Sequence, residues 1–523
     1  MIEDIVRKKW DVIIVGAGLG GGTIGRRLAE NGASVLFLEK GPLSPRAEQH
    51  GFNNDILDPV ARLTRGFETR RIRANIDGRN SSFFSLIGSG VGGSSAFYAA
   101  TLERPERHDI DHSEQRPHPT GGWPITYNEI APYFGEAERL FHVCGEEDPL
   151  NAVGRSYLRP PPPVDERDRR IRQLLKRDGL HPYHVHLGVR FLSGCHRCFG
   201  RKCPRNCKMD GRSAGVEPAL ETGQAEILDC AEVLRFRGAG DRIRYLEVCR
   251  DGEVLELRAK QYVLAAGALG SPRLLLRSVS EYWPRGCGNG NDQVGRNLML
   301  HLSEFIAVWP KPNVVGEAPT KTMSLRDFYY DEGRRYGAFG DMGIDASYGE
   351  IVHFLKERFD RSVLGGHAVL RPLVRLPAYV ASKLFGSAKI FVGQMEDLPY
   401  QDNRVLWKED DPDHISIQYT SRDELHKRRQ EYRRLLKRRL KSFRLFFMNF
   451  EPDYNFPHSC GTLRFGDNSL NSVLDPSCLS HEIKNLYVAD ASFMPTSTGI
   501  NPGLTVIANA LRVGDCVQKR LAS

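Results

Sequence analysis

The feature that most constrains this chain is a glycine-rich segment that directly follows a short β-branched run near the N-terminus. Residues 11–15 read DVIIV, and Gly16-x-Gly18-x-x-Gly21 follows, with helix-compatible residues to about Asn31. This pattern predicts a strand, a tight turn and a helix. Gly16 permits the turn, Gly18 lets the backbone approach a pyrophosphate, and Gly21 lets helix and strand pack closely. The segment therefore predicts a dinucleotide-binding lobe.

A second apolar run, residues 34–38, ends in Glu39. In the dinucleotide fingerprint an acidic residue is expected about 20 residues after the first glycine, where its carboxylate accepts hydrogen bonds from ribose hydroxyls. The glycines alone are also compatible with a simple turn, but strand, helix and acid in this register favour nucleotide binding. An acid at this position suits an unphosphorylated ribose, which favours FAD or NAD over NADP.

Two further segments have a composition typical of segments that contact the same cofactor. Gly88-Ser-Gly-Val-Gly-Gly-Ser-Ser95 can bring backbone N–H groups close to a phosphate or an isoalloxazine ring, because glycines leave no side chain in the way. Residues 262–272, YVLAAGALGSP, predict a buried strand that breaks at Gly267 into a helix. Taken alone, each segment is equally compatible with ordinary strand-turn-helix packing.

The C-terminal part of the chain contains three more distinctive segments. They are FPHSCGTLRFG at 456–466, NLYVADASFMP at 485–495 and GINPGLT at 499–505. Asn501 precedes Pro502, which predicts an N-cap followed by a helix from Gly503 to Val513. The positive end of such a helix stabilises negative charge, including that of a reduced flavin ring. A plain helix cap is the alternative.

Taken in order, the N-terminal fingerprint, GVGGSS, AAGALGSP, the His-x-x-Gly-Thr turn and the NLYVADAS and NPGLT end resemble the glucose-methanol-choline (GMC) family of flavoenzymes. This resemblance spans nearly the whole chain. It implies an FAD-dependent oxidation of an alcohol to a carbonyl. It also implies that His458 is the base that removes the hydroxyl proton and that Asn501 binds the substrate oxygen while hydride passes to flavin N5. An imidazole suits the first task because its pKa lies near neutral.

The implied fold is an α/β protein with a Rossmann-like FAD-binding domain and an inserted α+β substrate-binding domain built on an antiparallel sheet. We expect the FAD-binding domain at 1–300 and 456–523, with cover segments at about 42–85 and 101–190, and the substrate-binding domain at 301–455. Within the latter, residues 390–399 and 403–407 predict two strands joined by a turn. The residues expected to hold FAD are Gly16, Gly18, Gly21, Glu39, Gly88, Gly92, Gly93, Ser94, Val233, Ala266, Asp490, Ala491, Pro502 and Thr505.

The substrate class is constrained only weakly by the sequence. We expect a sugar, an amino sugar or a sugar-containing metabolite, and a hydrophobic cyclic alcohol such as a sterol is the alternative. A nonenzymatic flavin protein is a further possibility, although intact His458 and Asn501 argue against it. The electron acceptor, oxygen or an external carrier, stays open. The role of Glu396 also stays open: it alternates with Gln394 on a predicted strand, and a pair that faces the substrate and a solvated sheet face are equally compatible with that pattern.

The cysteines indicate a reducing environment. Their number is 11, which is odd, and neither an N-terminal secretory signal nor a long uncharged apolar run is present. We therefore expect a cytoplasmic protein without a transmembrane segment. Cys195, Cys198, Cys203 and Cys207 lie close together in sequence. Zinc, an iron–sulfur cluster, local disulfides and free thiols are all compatible with this spacing, and no metal site is assigned.

The net charge of +8 has a local origin. Residues 422–444 contain eleven Lys and Arg against three acidic residues, and apolar residues recur there at helical spacing. This pattern predicts an amphipathic helix with a basic outer face, which is usually solvated but can bind an acidic partner. No nucleic-acid partner is expected. Residues 363–385 mix apolar residues with three cations, and ordinary packing is favoured there over an amphipathic cover or a membrane-touching surface.

Some GMC enzymes attach FAD covalently through a histidine just after the glycine pair of the second motif, where this chain has Phe97. A phenylalanine cannot form that bond, so we expect noncovalent FAD. Acid precipitation of the purified protein should release the yellow colour into the supernatant. A coloured pellet would contradict this prediction.

Overall fold

The computed structural model describes residues 2–44, 59–151, 156–311, 320–343, 348–362, 364, 367–385 and 388–523. Parts of the predicted cover segments, of the predicted substrate-binding domain and of the stretch 363–385 lie outside these ranges. Within the described residues, no helix combines the length and the apolar composition that crossing a membrane requires.

The N-terminal lobe is built on a five-stranded parallel sheet. Its strands, in spatial order, are β22 (Leu486–Val488), β11 (Ala259–Leu264), β1 (Trp10–Val15), β2 (Val35–Leu38) and β7 (Ala225–Leu228). Parallel strands covered on both faces are apolar along their whole length, and every residue of β2 is indeed buried. The predicted Rossmann-like lobe is confirmed.

Helices cover this sheet, and some of them pack against it through direct backbone contacts. The largest are α2 (Leu19–Glu30), α4 (Tyr127–Leu140), α7 (Gly267–Arg277) and α11 (Gly503–Ala522). A Cβ atom on Gly21 would lie 1.9 Å from the carbonyl oxygen of Gly16, so only glycine allows α2 to pack there. An antiparallel three-stranded sheet, β8 (Ala231–Ala239), β9 (Arg242–Arg250) and β10 (Glu253–Leu257), lies between β7 and β11 in the chain.

The second lobe contains the predicted antiparallel sheet. Its strands, in spatial order, are β13 (Ser324–Leu325), β16 (Phe339–Asp341), β17 (Lys389–Met395), β12 (Met299–Pro310) and β20 (Phe443–Phe447), and β21 (Tyr454–Cys460) also pairs with β12. Helix α10 (Asp423–Arg439) packs its apolar side chains into the core beside this sheet. The expected class, a parallel nucleotide-binding sheet with a separate antiparallel sheet, is confirmed, whereas the domain boundaries stay a prediction.

A four-stranded sheet joins distant parts of the chain. It contains β18 (Arg404–Leu406), β19 (His414–Tyr419), β3 (Arg71–Ile76) and β4 (Arg79–Phe83). The two strands predicted at 390–399 and 403–407 therefore exist as β17 and β18, but they belong to different sheets. Strand β19, which is further along the chain, pairs with both β18 and β3.

The remaining helices and strands lie outside these sheets and their largest covering helices. They are α1 (Ile2–Arg7), α3 (Pro59–Arg65), α5 (Glu166–Arg177), α6 (Glu217–Glu221), α8 (Tyr348–Arg361), α9 (Arg375–Phe385), and the two-stranded pairs of β5 (Val143–Cys144) with β6 (Leu187–Gly188) and of β14 (Tyr330–Asp331) with β15 (Arg334–Arg335).

The basic helix α10 differs from its prediction, because many of its cations are paired within the protein. The Arg429 and Arg433 side chains both bind the carboxylate of Glu304, which is fully buried on β12. Further ion pairs join Arg422 to Asp402, Arg428 to Glu424, Arg438 to Asp331 and Arg439 to Asp327. A uniformly solvated basic face is therefore wrong, since much of its charge is compensated by neighbouring carboxylates.

The buried ion pair between Glu304 and Arg429 predicts a large loss of stability when the Glu304 carboxylate is replaced by a neutral group. Glu304→Gln leaves the nearly buried Arg429 guanidinium without its counter-charge, which should lower the free energy of unfolding by about 3–5 kcal/mol. Chemical denaturation of the holoenzyme followed by circular dichroism measures this. The control is Glu431→Gln, whose partner Arg334 is half exposed and which should cost less than about 1 kcal/mol. Equal losses for the two variants would refute a special role of Glu304.

Candidate active site

The nucleotide loop is a tight crossing of three backbone segments at the ends of β1, β2 and β11. Gly16 has φ +102°, and a Cβ atom on it would lie 2.4 Å from the carbonyl oxygen of Ala265. The Glu39 carboxylate, at the end of β2, accepts backbone hydrogen bonds from Ala17 (3.0 Å) and Gly41 (3.1 Å). Burial raises the pKa of Glu39. The acid identified by sequence spacing thus lies directly against the glycine turn.

A cavity opens at this loop and collects most of the residues predicted to hold FAD. Those that line it are Gly16, Gly18, Glu39, Gly88, Gly93, Ser94, Val233, Ala266, Asp490, Ala491 and Pro502. Three predicted residues are not in its wall: Gly21 packs against Gly16, Gly92 takes a left-handed conformation before a short helical turn, and Thr505 is buried in the first turn of α11.

The cavity has the properties that a dinucleotide cofactor requires. A Cβ atom placed on Gly18 would have only the Gly93 Cα within 4 Å, at 3.9 Å, so Gly18 leaves its backbone open to a ligand. The N-terminal ends of α2 and α11 border the cavity and favour bound phosphate or other negative charge. These residues fit FAD.

The Asp490 carboxylate lines the cavity, but it is already held by hydrogen bonds from the protein. Its carboxylate accepts hydrogen bonds from the Gly267 backbone N–H (2.8 Å), the Ser271 hydroxyl (2.5 Å) and the backbone N–H of Ser492 (2.9 Å). It therefore ties the end of β22 to the start of α7. This arrangement gives Asp490 a clear role in shaping the cavity wall.

The two predicted catalytic residues meet beside this cavity. Pro457 and Ser459, which flank His458, and Pro502, which follows Asn501, all line it. His458 lies on β21, and its Nε2 atom is 3.5 Å from the Asn501 amide nitrogen, at the entry to α11. Residues 43 positions apart in sequence are thus adjacent in space.

The structure adds a second histidine that sequence reasoning missed. His301, fully buried on β12, places its Nδ1 atom 3.1 Å from the His458 Nδ1 atom. Its Nε2 atom faces the carbonyl oxygens of Thr498 (2.9 Å) and Ser497 (3.2 Å). The only sequence signal was a histidine within the otherwise apolar run MLHL at the start of β12.

These contacts fix the positions of the protons on both rings. Carbonyl oxygens only accept hydrogen bonds, so the His301 Nε2 atom carries the hydrogen, and its Nδ1 atom in a neutral ring is an acceptor. The facing His458 Nδ1 atom must then be the donor. The His458 Nε2 atom is consequently left with its lone pair, and it points to Asn501. The Asn455 amide, 3.2 Å from His458 Nδ1, can turn its oxygen toward the same hydrogen.

The electrostatic surroundings favour neutral rings. Burial, together with the neighbouring His301 ring and the Lys321 ammonium group, lowers the pKa of His458 well below its ordinary value, and burial also lowers the pKa of His301. An imidazole that is neutral at physiological pH, with a lone pair aimed toward the cavity, is able to accept a proton. The arrangement can therefore act as a general base at the Nε2 atom of His458.

Glu396 and Gln394 do not form a solvated or substrate-facing pair. Glu396 is almost fully buried and forms an ion pair with Arg335, which also binds Asp109 (2.7 Å). Gln394 accepts a hydrogen bond from Ser303. Glu396 thus belongs to a buried charge network that connects β17 to the loop around Asp109.

The four clustered cysteines are free thiols in this structure. The Cys203 sulfur accepts hydrogen bonds from the backbone N–H groups of Cys207 (3.3 Å) and Lys208 (3.4 Å). A hydrogen bond from Cys198 and these backbone donors lower the pKa of Cys203 to about 4. Within the described residues, no group of three or more metal-ligating side chains is arranged to hold an ion.

Comparison with known proteins defines the class of this one, an oxidoreductase that acts on alcohols. Family models described as GMC oxidoreductase match residues 183–303 and 399–510. The chain belongs to the GMC oxidoreductase family.

Similar proteins extend over nearly the whole chain. It is 27% identical to 6'''-hydroxyparomomycin C oxidase of Streptomyces lividus and 28% identical to paromamine 6'-oxidase of Streptomyces fradiae, over 98% of this chain and 92% of each relative. A solved structure of the FAD-containing formate oxidase of Aspergillus oryzae matches with a TM-score of 0.67 at 15% identity, covering 98% of this chain and 99% of that one. At that identity the match shows the fold alone.

The proton arrangement predicts that His301 positions His458 for catalysis. When His458 gains a proton its N–H···N bond to His301 becomes charge-assisted, so His301→Ala should slow flavin reduction by roughly 10- to 100-fold. His301→Gln, which keeps an acceptor atom, should recover part of the rate. Stopped-flow reduction measured across pH tests this. If His301 had a purely structural role, the rate of flavin reduction would fall equally in the two variants and the pH profile would not shift.

Proposed function

We propose that this protein oxidises an alcohol of a sugar or amino sugar to a carbonyl, with His458 as the base and Asn501 as the partner of the substrate oxygen. The observation that carries the proposal is the position of the His458 Nε2 atom, which lies 3.5 Å from the Asn501 amide nitrogen beside the cofactor cavity. His458 accepts the hydroxyl proton at Nε2. The Asn501 amide donates a hydrogen bond to the same oxygen and keeps the alcohol in position as its charge increases.

FAD, when bound, supplies the acceptor of the hydride from the substrate carbon. The glycine loop at 16–21, Glu39 and the segment around Gly93 would hold its nucleotide and phosphate parts. We propose that it is bound noncovalently. The Phe97 ring is stacked on Phe67 with a centroid distance of 3.9 Å, so the position used for attachment in some relatives holds an unreactive ring.

The substrate class is supported by the relatives. Two of them are named as oxidases of paromamine and of 6'''-hydroxyparomomycin C, and both align over almost the entire chain. We infer that an amino sugar with a free hydroxyl group is the best first substrate to test. The FAD-binding domain is proposed at 1–300 and 456–523 and the substrate-binding domain at 301–455, so that His458 and Asn501 both belong to the FAD-binding domain and His458 lies next to the boundary.

An anaerobic titration tests the proposed reaction. Paromamine, neutral hexoses and a sterol are each mixed with the holoenzyme, and the flavin visible band is followed. We expect paromamine to bleach the flavin band of the unchanged protein. In His458→Ala, with FAD still bound, the rate of this bleaching should fall more than about 100-fold, because the base is removed. Oxygen consumption on aeration then separates an oxidase from a dehydrogenase.

The control variant is His481→Ala, which removes a partly buried, hydrogen-bonded histidine away from the cavity. The flavin of this variant should be reduced by substrate at the same rate as that of the unchanged protein. Fast reduction of His458→Ala would refute the assignment of the base, and bleaching by the sterol alone would refute the substrate class.

A further inference from the structure

A helical insertion between β16 and β17 covers the outer face of the antiparallel sheet. It contains α8, a 3-10 helix at Ala368–Val374 and α9. Ala378, Ala381 and Phe385 of α9 pack inward against Trp309 of β12 and Ile390 of β17. One face of α9 is therefore accounted for by the protein core.

The opposite side of this insertion is also apolar, and its side chains are exposed among the residues that the structure describes. Val369 is 89% exposed and Leu376 is 73% exposed. The exposed residues, named here the apolar patch, are Val369, Leu373, Leu376, Tyr379, Val380, Leu384 and Phe446. Phe446 of β20 continues the patch, because its ring lies 5.2 Å from that of Phe385. A helix that is apolar on both faces is normally buried, and a contiguous exposed apolar area marks an interaction surface.

The exposed charged side chains that α9 and β20 place beside the patch are cations. Residues 367–385 contain no Asp or Glu, and Arg375 and Lys383 are exposed on α9. Arg444 is exposed on β20, with its guanidinium 4.5 Å from the Trp309 ring on the side of the sheet that α9 covers. Arg371 does not add to this set, because it pairs with Asp360. The rim of the patch is thus cationic.

We propose that the apolar patch binds the surface of an anionic lipid bilayer. Its leucines, valines and aromatic rings would enter the boundary between headgroups and acyl chains, and Arg375, Lys383 and Arg444 would bind lipid phosphates. A second copy of this chain fits the patch poorly. A symmetric contact would bring these cations against their own counterparts, and the segment 367–385 offers no carboxylate to pair with them.

Sedimentation of the holoenzyme with vesicles tests the proposal. We expect binding to phosphatidylcholine vesicles that contain phosphatidylglycerol, weak binding to pure phosphatidylcholine, and release at high salt. The double variant Leu373→Gln and Leu376→Gln should reduce binding by at least about tenfold, since both side chains would leave the apolar phase. Arg375→Gln should reduce binding to anionic vesicles by about fivefold.

Matched controls use residues of the nucleotide-binding lobe. Val254→Gln replaces a 60% exposed apolar residue of β10, and Lys519→Gln removes an exposed cation of α11. Both should bind vesicles like the unchanged protein, and all variants should retain the flavin spectrum.

Three results would overturn the proposal. The first is no binding to anionic vesicles. The second is an equal loss for Lys519→Gln and Arg375→Gln, which would show attraction by net charge only. The third is a lipid-free dimer in sedimentation velocity that the double leucine variant dissociates, which would show that a second copy covers the patch.

Discussion

The crossing of three backbones at Gly16 is the constraint on which the rest of this structure depends. The Gly16 N–H donates to the Leu38 carbonyl (2.8 Å), the Ala265 N–H donates to the Val15 carbonyl (2.8 Å), and the Gly92 N–H donates to the Ala17 carbonyl (2.8 Å). No side chain fits between these strands, so the ends of β1, β2 and β11 approach one another closely. Because only backbone atoms lie at this crossing, a cavity is left beside it, and the helix N-termini face the ligand that the cavity binds.

The catalytic pair depends on this arrangement indirectly. His458 is carried by β21, which pairs with β12, and Asn501 is carried by the start of α11, which packs on α2 behind the glycine turn. The antiparallel sheet therefore positions His458, and the helices of the parallel-sheet lobe position Asn501. His301 on β12 links them, because its ring contacts His458 on one side and the Ser497 and Thr498 carbonyls, just before Asn501, on the other. A single buried ring thus contacts both the base and the segment before Asn501, and it sets the tautomer of the base.

Much of the nucleotide lobe could be predicted because its signals are local. The turn at Gly16, the acid at Glu39 and the helix after Pro502 each follow from a few consecutive residues. His301 could not be predicted in the same way, since its role arises from pairing between β12 and β21 across more than a hundred residues. The strands β17 and β18 show the same limit: their existence follows from composition, but their separation into two sheets follows from the later strand β19. Local pattern specifies elements, and long-range pairing decides their neighbours.

Charge shows this limit most clearly. In the sequence, the excess of cations belongs to the segment 422–444, which suggests that α10 is the surface to which a partner would bind. In the structure, Glu304 and other carboxylates from distant strands and loops neutralise much of that helix. The segment 367–385 has only three Lys and Arg, but it contains no acid and its apolar residues face outward. The proposed membrane surface is the one where cations border exposed apolar side chains, because burial of those side chains among the lipids adds to the attraction between the cations and the lipid phosphates.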